Sequence, residues 1–263
     1  MAAKTCMIAE KDFAGRQFRG GRDLQEDSYA FSEIAGASGD SEGLLLVVAD
    51  GMGGHTAGEQ ASELAVKSFI AAFQHAPGRI DERFRKSLTA ANYAIGLQVE
   101  RDPTQKGMGT TLLAVAVTSA GLQWISVGDS PLYVFSGGRL RQLNEDHSLR
   151  PILREMTKRG EIPAGRSSSS TNILRAALTG DEIALIDLSP EATKLGRSDL
   201  VLAATDGIQA LDEERIGTIC GKFAAGDAST VASELLRAIG DLGSPKQDNT
   251  TIAVIKAAAQ GVS

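Results

Sequence analysis

Six acidic residues in this chain stand where carboxylates can do chemistry: Asp50, Asp129, Asp206 and Asp248 at the ends of predicted core strands, and Glu26-Asp27 at the start of another. In Leu44-Leu45-Leu46-Val47-Val48-Ala49, an unbroken apolar run too short for a membrane span reads as a strand buried on both faces, and it runs straight into Asp50-Gly51. A glycine after the carboxylate lets the backbone turn away sharply and can leave its carbonyl pointing the same way as the Asp50 side chain. Two hard oxygen donors side by side suit Mg²⁺ or Mn²⁺. The competing reading is a strand closed by an ordinary Asp-Gly turn. Turn residues would scatter to both ends of a sheet. Carboxylates that converge in a low-dielectric cleft repel one another by on the order of several kcal/mol per uncompensated charge unless cations sit among them, and a multinuclear Mg²⁺ or Mn²⁺ site is the natural solution. Arg22, four residues before Glu26, is open to two roles: ion-pair partner of Glu26 or Asp27, or bidentate clamp on a phosphate.

The elements that must position these residues can be read from periodicity. Thr5 to Ile8 reads as a first strand, followed by a glycine- and arginine-rich stretch from Gly15 to Arg22, and Ser28 to Phe31 alternates as a half-buried strand. After Asp50, Ala61, Leu64, Ala65, Phe69, Ala72 and Phe73 follow helical spacing up to Pro77-Gly78, and a second helix spans Ile80 to about Arg101, stopped by Pro103. Both read as a layer over a sheet. Strands are expected at Thr111 to Val117 and Leu122 to Val127, the second ending in Gly128-Asp129-Ser130, then a hairpin around Ser136-Gly137-Gly138. Successive hairpins imply antiparallel sheets. A short helix from Leu149 to Lys158 precedes Gly160 to Asn172, whose four consecutive serines read as a mobile surface flap. Ile183 to Leu188 and Asp199 to Thr205 read as strands, helices follow at Glu213 to Cys220 and Ala228 to Ile239, and Ile252 to Ile255 closes the set behind Asp248-Asn249-Thr250-Thr251.

The bulk properties narrow the classes. At 263 residues, 42% hydrophobic and 23% charged, with no linker-like stretch or repeat, the chain reads as one domain over residues 1–263. Lys4, Glu10, Lys11 and Asp12 interrupt the N-terminal stretch, which does not resemble a signal peptide, so a cytoplasmic location is expected. A net charge of −6 without a basic block argues against nucleic-acid binding, and no membrane segment is expected. Cys6 and Cys220 form no disulfide or thiolate-metal pattern and read as small buried hydrophobes. His75 reads as a surface or helix-capping residue.

The ordered set Arg22…Glu26-Asp27, Asp50-Gly51-Met52-Gly53-Gly54-His55, Gly107-Met108-Gly109-Thr110-Thr111, Gly128-Asp129-Ser130, Asp146-His147-Ser148, Thr205-Asp206-Gly207 and Asp248-Asn249-Thr250-Thr251 closely resembles the bacterial branch of the metal-dependent type 2C protein serine/threonine phosphatases, from about Phe13 to Lys256. The resemblance implies an α+β fold, a four-layer α-β-β-α sandwich of two central antiparallel sheets flanked by helices, with a flap subregion at about 149–172. It implies two or three metal ions, Mn²⁺ or Mg²⁺: Asp50 bridging two of them, with the Gly51 carbonyl, Asp206 and Asp248 completing the ligands and Asp129 matching a weaker third site. Glu26 and Asp27 would act through metal-bound water, and Arg22 would hold phosphate. The catalytic set so implied is Arg22, Asp50 and Asp206. Substrates would be proteins phosphorylated by a serine/threonine kinase, and the chain would act as a monomer.

The residue types fit that chemistry directly. Two cations a few ångströms apart lower the pKa of a shared water and neutralise phosphomonoester oxygens, so that water attacks phosphorus with no phosphoenzyme. Neither Cys6 nor Cys220 lies in a glycine-rich, arginine-bearing loop, so a thiolate nucleophile is not expected. Two positions depart from the family pattern. Met52 follows Asp-Gly where animal members carry a histidine proposed as general acid, a feature shared by the bacterial branch; His55 nearby is equally well explained as a turn and helix-capping residue. Pro131 replaces the arginine usual after Gly-Asp-Ser, which removes a positive charge beside Asp129. The alternatives to an active phosphatase are a catalytically silent binding module with this fold and a structural metal domain. The first would be signalled by loss of a bridging carboxylate and the second would not need Arg22.

Overall fold

The computed structural model describes residues 7–35, 41–54, 56–162 and 173–257. Cys6, His55 and the serine run of the expected flap lie outside these described residues. The elements in chain order are β1 (Phe13–Phe18), β2 (Asp27–Ala35), β3 (Ser41–Met52), α1 (Ala57–His75), α2 (Ile80–Arg101), β4 (Gly109–Thr110), β5 (Leu112–Thr118), β6 (Gly121–Val127), β7 (Leu132–Ser136), β8 (Arg139–Gln142), α3 (Arg150–Lys158), β9 (Asp187–Leu188), β10 (Leu200–Ala204), α4 (Glu213–Phe223), α5 (Ala228–Gly240) and β11 (Thr250–Lys256). They form two antiparallel sheets, ordered β1-β11-β10-β7-β8 and β2-β3-β5-β6-β9, with β4 paired to β3. The four-layer α-β-β-α sandwich expected from the sequence is the fold.

Three apolar layers hold it together, and period-2 alternation assigns each side chain to one of them. On β3, Leu45, Val47 and Ala49 pack with Phe69, Phe73, Phe84 and Ile95 of α1 and α2. Leu44, Leu46 and Val48 from the same strand face Val201, Ala203, Ala253 and Ile255 of the other sheet. Leu200, Leu202, Ile252 and Val254 turn outward against Ile216, Val231 and Leu235 of α4 and α5. The central strands are therefore buried on both faces, which is why they read as continuous apolar runs.

Where expectation and structure differ, the causes are local. The first described strand is β1; of the expected strand Thr5 to Ile8, Thr5 and Cys6 lie outside the described residues, and Met7 and Ile8 are not in a strand. Glycine and arginine mask its alternation, but every residue pairs with β11, from Phe13↔Ile255 to Phe18↔Thr250. Gly15 lies beneath the ring of Tyr29 on the facing sheet; a Cβ there would stand 2.1 Å from that ring. The strand ending at Asp50 does not turn at Gly51. It continues through Met52, pairing with β4, and the turn falls on Gly53 and Gly54, at φ 139° and 46°. Of Ile183 to Leu188, only Asp187–Leu188 is strand. His75 contacts the Ala71 carbonyl at 2.8 Å, one turn back in α1, and Cys220 is fully buried, its thiol pushed up to about 12 by that burial. Among the described residues, no helix is long and apolar enough to cross a membrane.

Gly51 is glycine for want of space. A Cβ on it would stand 2.0 Å from the Gly58 carbonyl oxygen at the start of α1 and 2.6 Å from that of Glu26. Gly51→Ala is expected to cost about 2–3 kcal/mol by forcing the end of β3 away from α1, read as a lower urea midpoint in EDTA with an unchanged m-value.

Candidate active site

Antiparallel pairing sets the start of each strand beside the end of its neighbour, and that alone gathers the acidic residues. Asp27 opens β2 directly opposite Asp50 on β3. Leu112 at the start of β5 pairs with Val127 at the end of β6, two residues before Asp129. Ala204 at the end of β10 pairs with Ile252 on β11, so Asp206 and Asp248 share that edge. Glu26, Asp50, Asp129, Asp206 and Asp248 line one cleft of about 1030 Å³ together with Arg22, Gly51, Arg175, Thr179, Asp181 and Glu182. Asp27 is the exception among the expected site residues: it is buried and does not line this cleft.

Hydroxyls and backbone groups fix the Asp50 backbone and the Asp27 carboxylate. The Asp50 amide donates to Thr111 Oγ1 at 2.9 Å, its carbonyl accepts from the Thr111 amide and the Thr110 hydroxyl, both at 2.9 Å, and Thr111 Oγ1 meets Ser130 Oγ at 2.8 Å. Asp27 Oδ2 accepts from Thr205 and Thr251 hydroxyls, each at 2.8 Å, while Oδ1 is buried with no hydrogen-bond partner among the described residues. Asn249, itself buried, donates to the Arg19 and Leu24 carbonyls at 2.8 and 2.9 Å and accepts from the Glu26 amide at 2.8 Å, tying the 19–26 loop to the foot of β11. Nothing in the type of Asn249 announces this; its place directly after Asp248 is the only sequence signal.

Two guanidinium groups enter the cluster. Arg22 pairs with Asp248 at 2.6 Å, rather than with Glu26 or Asp27 as its neighbourhood in sequence allowed, and both partners stay substantially exposed. Arg150, the first residue of α3, is nearly buried and stands 3.5 Å from Asp129 Oδ2, 3.5 Å from Asp146 Oδ2 and 4.0 Å from Asp206 Oδ2; it also donates to Gln209. Sequence reading gave Arg150 no role.

The electrostatics follow from crowding. Burial, then the charges of Asp27, Asp206, Asp129 and Asp248, raises the Asp50 pKa well above the ordinary carboxylate range. Burial likewise raises Asp27, Asp129 and Asp206, with Arg150 acting in the opposite direction on the last two. His147 keeps its pKa depressed by burial, and its Nδ1 accepts from the Gly128 amide at 3.3 Å. Among the described residues, no three His, Cys, Asp or Glu side chains stand at ligating distance from a common point. Asp248 turns instead to Arg22, and Asp129 and Asp206 to Arg150. The donor chemistry nevertheless fits a hard divalent cation: carboxylate and carbonyl oxygens of one cleft, with no thiolate or imidazole among the described lining residues, and with the strong mutual repulsion that such an ion relieves.

A protein phosphatase 2C profile matches residues 15–227. The chain belongs to this family. It is 34% identical over 171 residues to the serine/threonine phosphatase stp of Listeria welshimeri, covering 62% of this chain and 66% of that protein. It is 31% identical over 213 residues to the serine/threonine protein phosphatase PstP of Mycobacterium tuberculosis, covering 80% of this chain and 40% of that protein. The matched region thus spans just under two thirds of the first relative and two fifths of the second. The crystal structure of the M. tuberculosis serine/threonine phosphatase PstP/Ppp superposes with a TM-score of 0.74 at 30% identity, covering 93% of this chain and 97% of that chain. The catalytic domain of PstP in complex with two manganese ions gives a TM-score of 0.72 at 29% identity, covering 93% and 96%.

Asn249→Ala removes three hydrogen bonds from a buried position and leaves the Glu26 amide and two carbonyls without that partner. It is expected to destabilise the fold by about 2–4 kcal/mol and to speed amide exchange at Glu26 far more than on the central strands, both measurable by hydrogen-exchange mass spectrometry with parallel urea melts.

Proposed function

We propose that this chain is a Mn²⁺- or Mg²⁺-dependent protein phosphatase that hydrolyses phosphoserine and phosphothreonine. The observation that carries the reading is the convergence of Glu26, Asp50, Gly51, Asp129, Asp206 and Asp248 on one cleft with Arg22 beside them. Asp50, the Gly51 carbonyl, Asp206 and Asp248 would hold two ions, with Glu26 and Asp27 outside them. When bound, such ions supply Lewis acidity toward phosphate oxygens and acidify a water at neutral pH. A two-manganese complex of the related PstP catalytic domain supports the count.

The rest is the work of this chain's own side chains. Arg22 gives up its exposed pairing with Asp248 at little cost and turns its fork onto the phosphate oxygens. Thr110 and Thr111 fix the backbone of Asp50, so its carboxylate is presented from a rigid strand end. Cys220, on the buried face of α4, lies in the core and takes no part. Met52 lines the cleft but cannot donate a proton, so the leaving alkoxide takes its proton from elsewhere. The open cleft suits a phosphorylated side chain of a protein, and the names of the bacterial relatives support proteins phosphorylated by serine/threonine kinases as substrates. A silent binding module is disfavoured because Asp50, Asp206 and Asp248 are kept together with Arg22.

Asp50→Asn and Asp206→Asn are each expected to lower Mn²⁺-dependent hydrolysis of p-nitrophenyl phosphate by roughly 100-fold or more. Relief of repulsion should leave the melting temperature in EDTA unchanged or higher; full activity of either variant at saturating Mn²⁺ would overturn the assignment. For Arg22→Ala, steady-state kinetics on a phosphothreonine peptide should show KM raised about tenfold with a smaller change in kcat, whereas an unchanged KM with lost stability would make Arg22 an ion-pair residue only.

A further inference from the structure

Asp129 is the residue expected to hold a third ion, yet a cation of the chain's own already stands against it. Arg150 Nη2 is 3.5 Å from Asp129 Oδ2 and 4.0 Å from Asp206 Oδ2, and Nη1 is 3.5 Å from Asp146 Oδ2. Both Arg150 and Asp129 are nearly buried, at 10% and 5% side-chain exposure, so neither can turn out to solvent as Arg22 can at 53%. The backbone around the pair is braced. The His147 amide donates to the Gly128 carbonyl at 3.1 Å, the Arg150 amide to Ser148 Oγ at 3.1 Å, and Asn144 Nδ2 to the Ser130 carbonyl at 2.9 Å. Pro151 sits in the first turn of α3, where its ring stiffens the helix start that carries Arg150.

We propose that Arg150 is a positioning residue that takes the place of a divalent cation at Asp129, so that this chain works with two ions and excludes a third. The proposal rests on the two-ion reading above and deepens it. A guanidinium among Asp129, Asp146 and Asp206 neutralises the charge that would draw an ion there, and a divalent cation arriving at Asp129 would meet a fixed positive group on the opposite side. The positive charge that Pro131 withholds beside Asp129 is thus supplied from α3. At the same time Arg150 orients Asp206, one of the carboxylates of the two-ion set, before any ion arrives.

The test is isothermal titration with Mn²⁺ alone, on the full chain, paired with thermal melts in EDTA. Wild type and Asp129→Asn should take up two ions with affinities within about twofold of one another. Arg150→Gln should gain a third site that disappears in the Arg150→Gln/Asp129→Asn double variant, and Arg150→Lys, which keeps the charge, should not gain it. In EDTA, Arg150→Gln should melt several degrees below wild type, with part of the loss restored by adding Asp129→Asn. Loss of a bound ion in Asp129→Asn, or a count of two in Arg150→Gln, overturns the proposal. Should Arg150→Gln fail to fold, the Asp129→Asn and Arg150→Lys titrations decide it. If wild type binds no Mn²⁺ while the melting cycle behaves as stated, the two-ion reading fails and Arg150 stands as the counter-cation of Asp129.

Discussion

The structure turns on the repulsion of carboxylates gathered at one end of a β-sandwich. Burial and the charges around them raise the pKa values of Asp27, Asp50, Asp129 and Asp206, and nothing about their packing makes that favourable by itself. The three apolar layers supply the stability that tolerates it. A carboxylate whose folded pKa lies above its unfolded value binds more protons in the native state. The metal-free chain therefore loses stability as pH rises from the ordinary carboxylate range through the raised values, and cations bound among these groups work against that loss.

What holds the cluster in place is polar and local. Thr111 grips the Asp50 backbone, Thr205 and Thr251 reach across to Asp27, and Asn249 anchors the loop that bears Arg22 and Glu26. These contacts join strands from both sheets: Asp27 belongs to one, Thr251 to the other, so the site spans the gap between the two sheets. Moving one sheet against the other would separate the carboxylates, and the buried side chains between the sheets resist that motion.

Much of this was legible in the residues. Runs such as Leu44–Ala49 and Leu200–Ala204 announce strands buried on both faces, and the carboxylate after each marks the strand ends that gather at the cleft. Helix boundaries at Ile80 and Arg101 follow from amphipathic spacing and Pro103. Other features were not legible because they depend on contacts far apart in sequence. The β1 strand hides behind glycine and arginine until β11 is beside it. Gly51 looks like a turn residue, whereas the close approach of Gly58 is what requires it. Arg22 finds Asp248, 226 residues away, rather than the acidic neighbours in its own loop. Arg150 follows a recognisable Asp-His-Ser motif, yet only the folded arrangement of α3 brings it to Asp129 and Asp206.

The same antiparallel alternation gives the molecule a second, chemically silent pole. The β5–β6 connection at Ser119-Ala120 and the β7–β8 connection at Gly137-Gly138 join the strand ends remote from Asp50 and Asp129, both are exposed, and a Cβ at Gly137 or Gly138 would meet nothing within 4 Å. Loop length there is nearly free of thermodynamic consequence, since doubling a surface loop costs only about 0.6 kcal/mol in closure entropy. The fold thus separates the carboxylate-bearing end from an end open to invention, and tethers, reporters or new binding loops can be spliced into the latter without entering the electrostatic cluster.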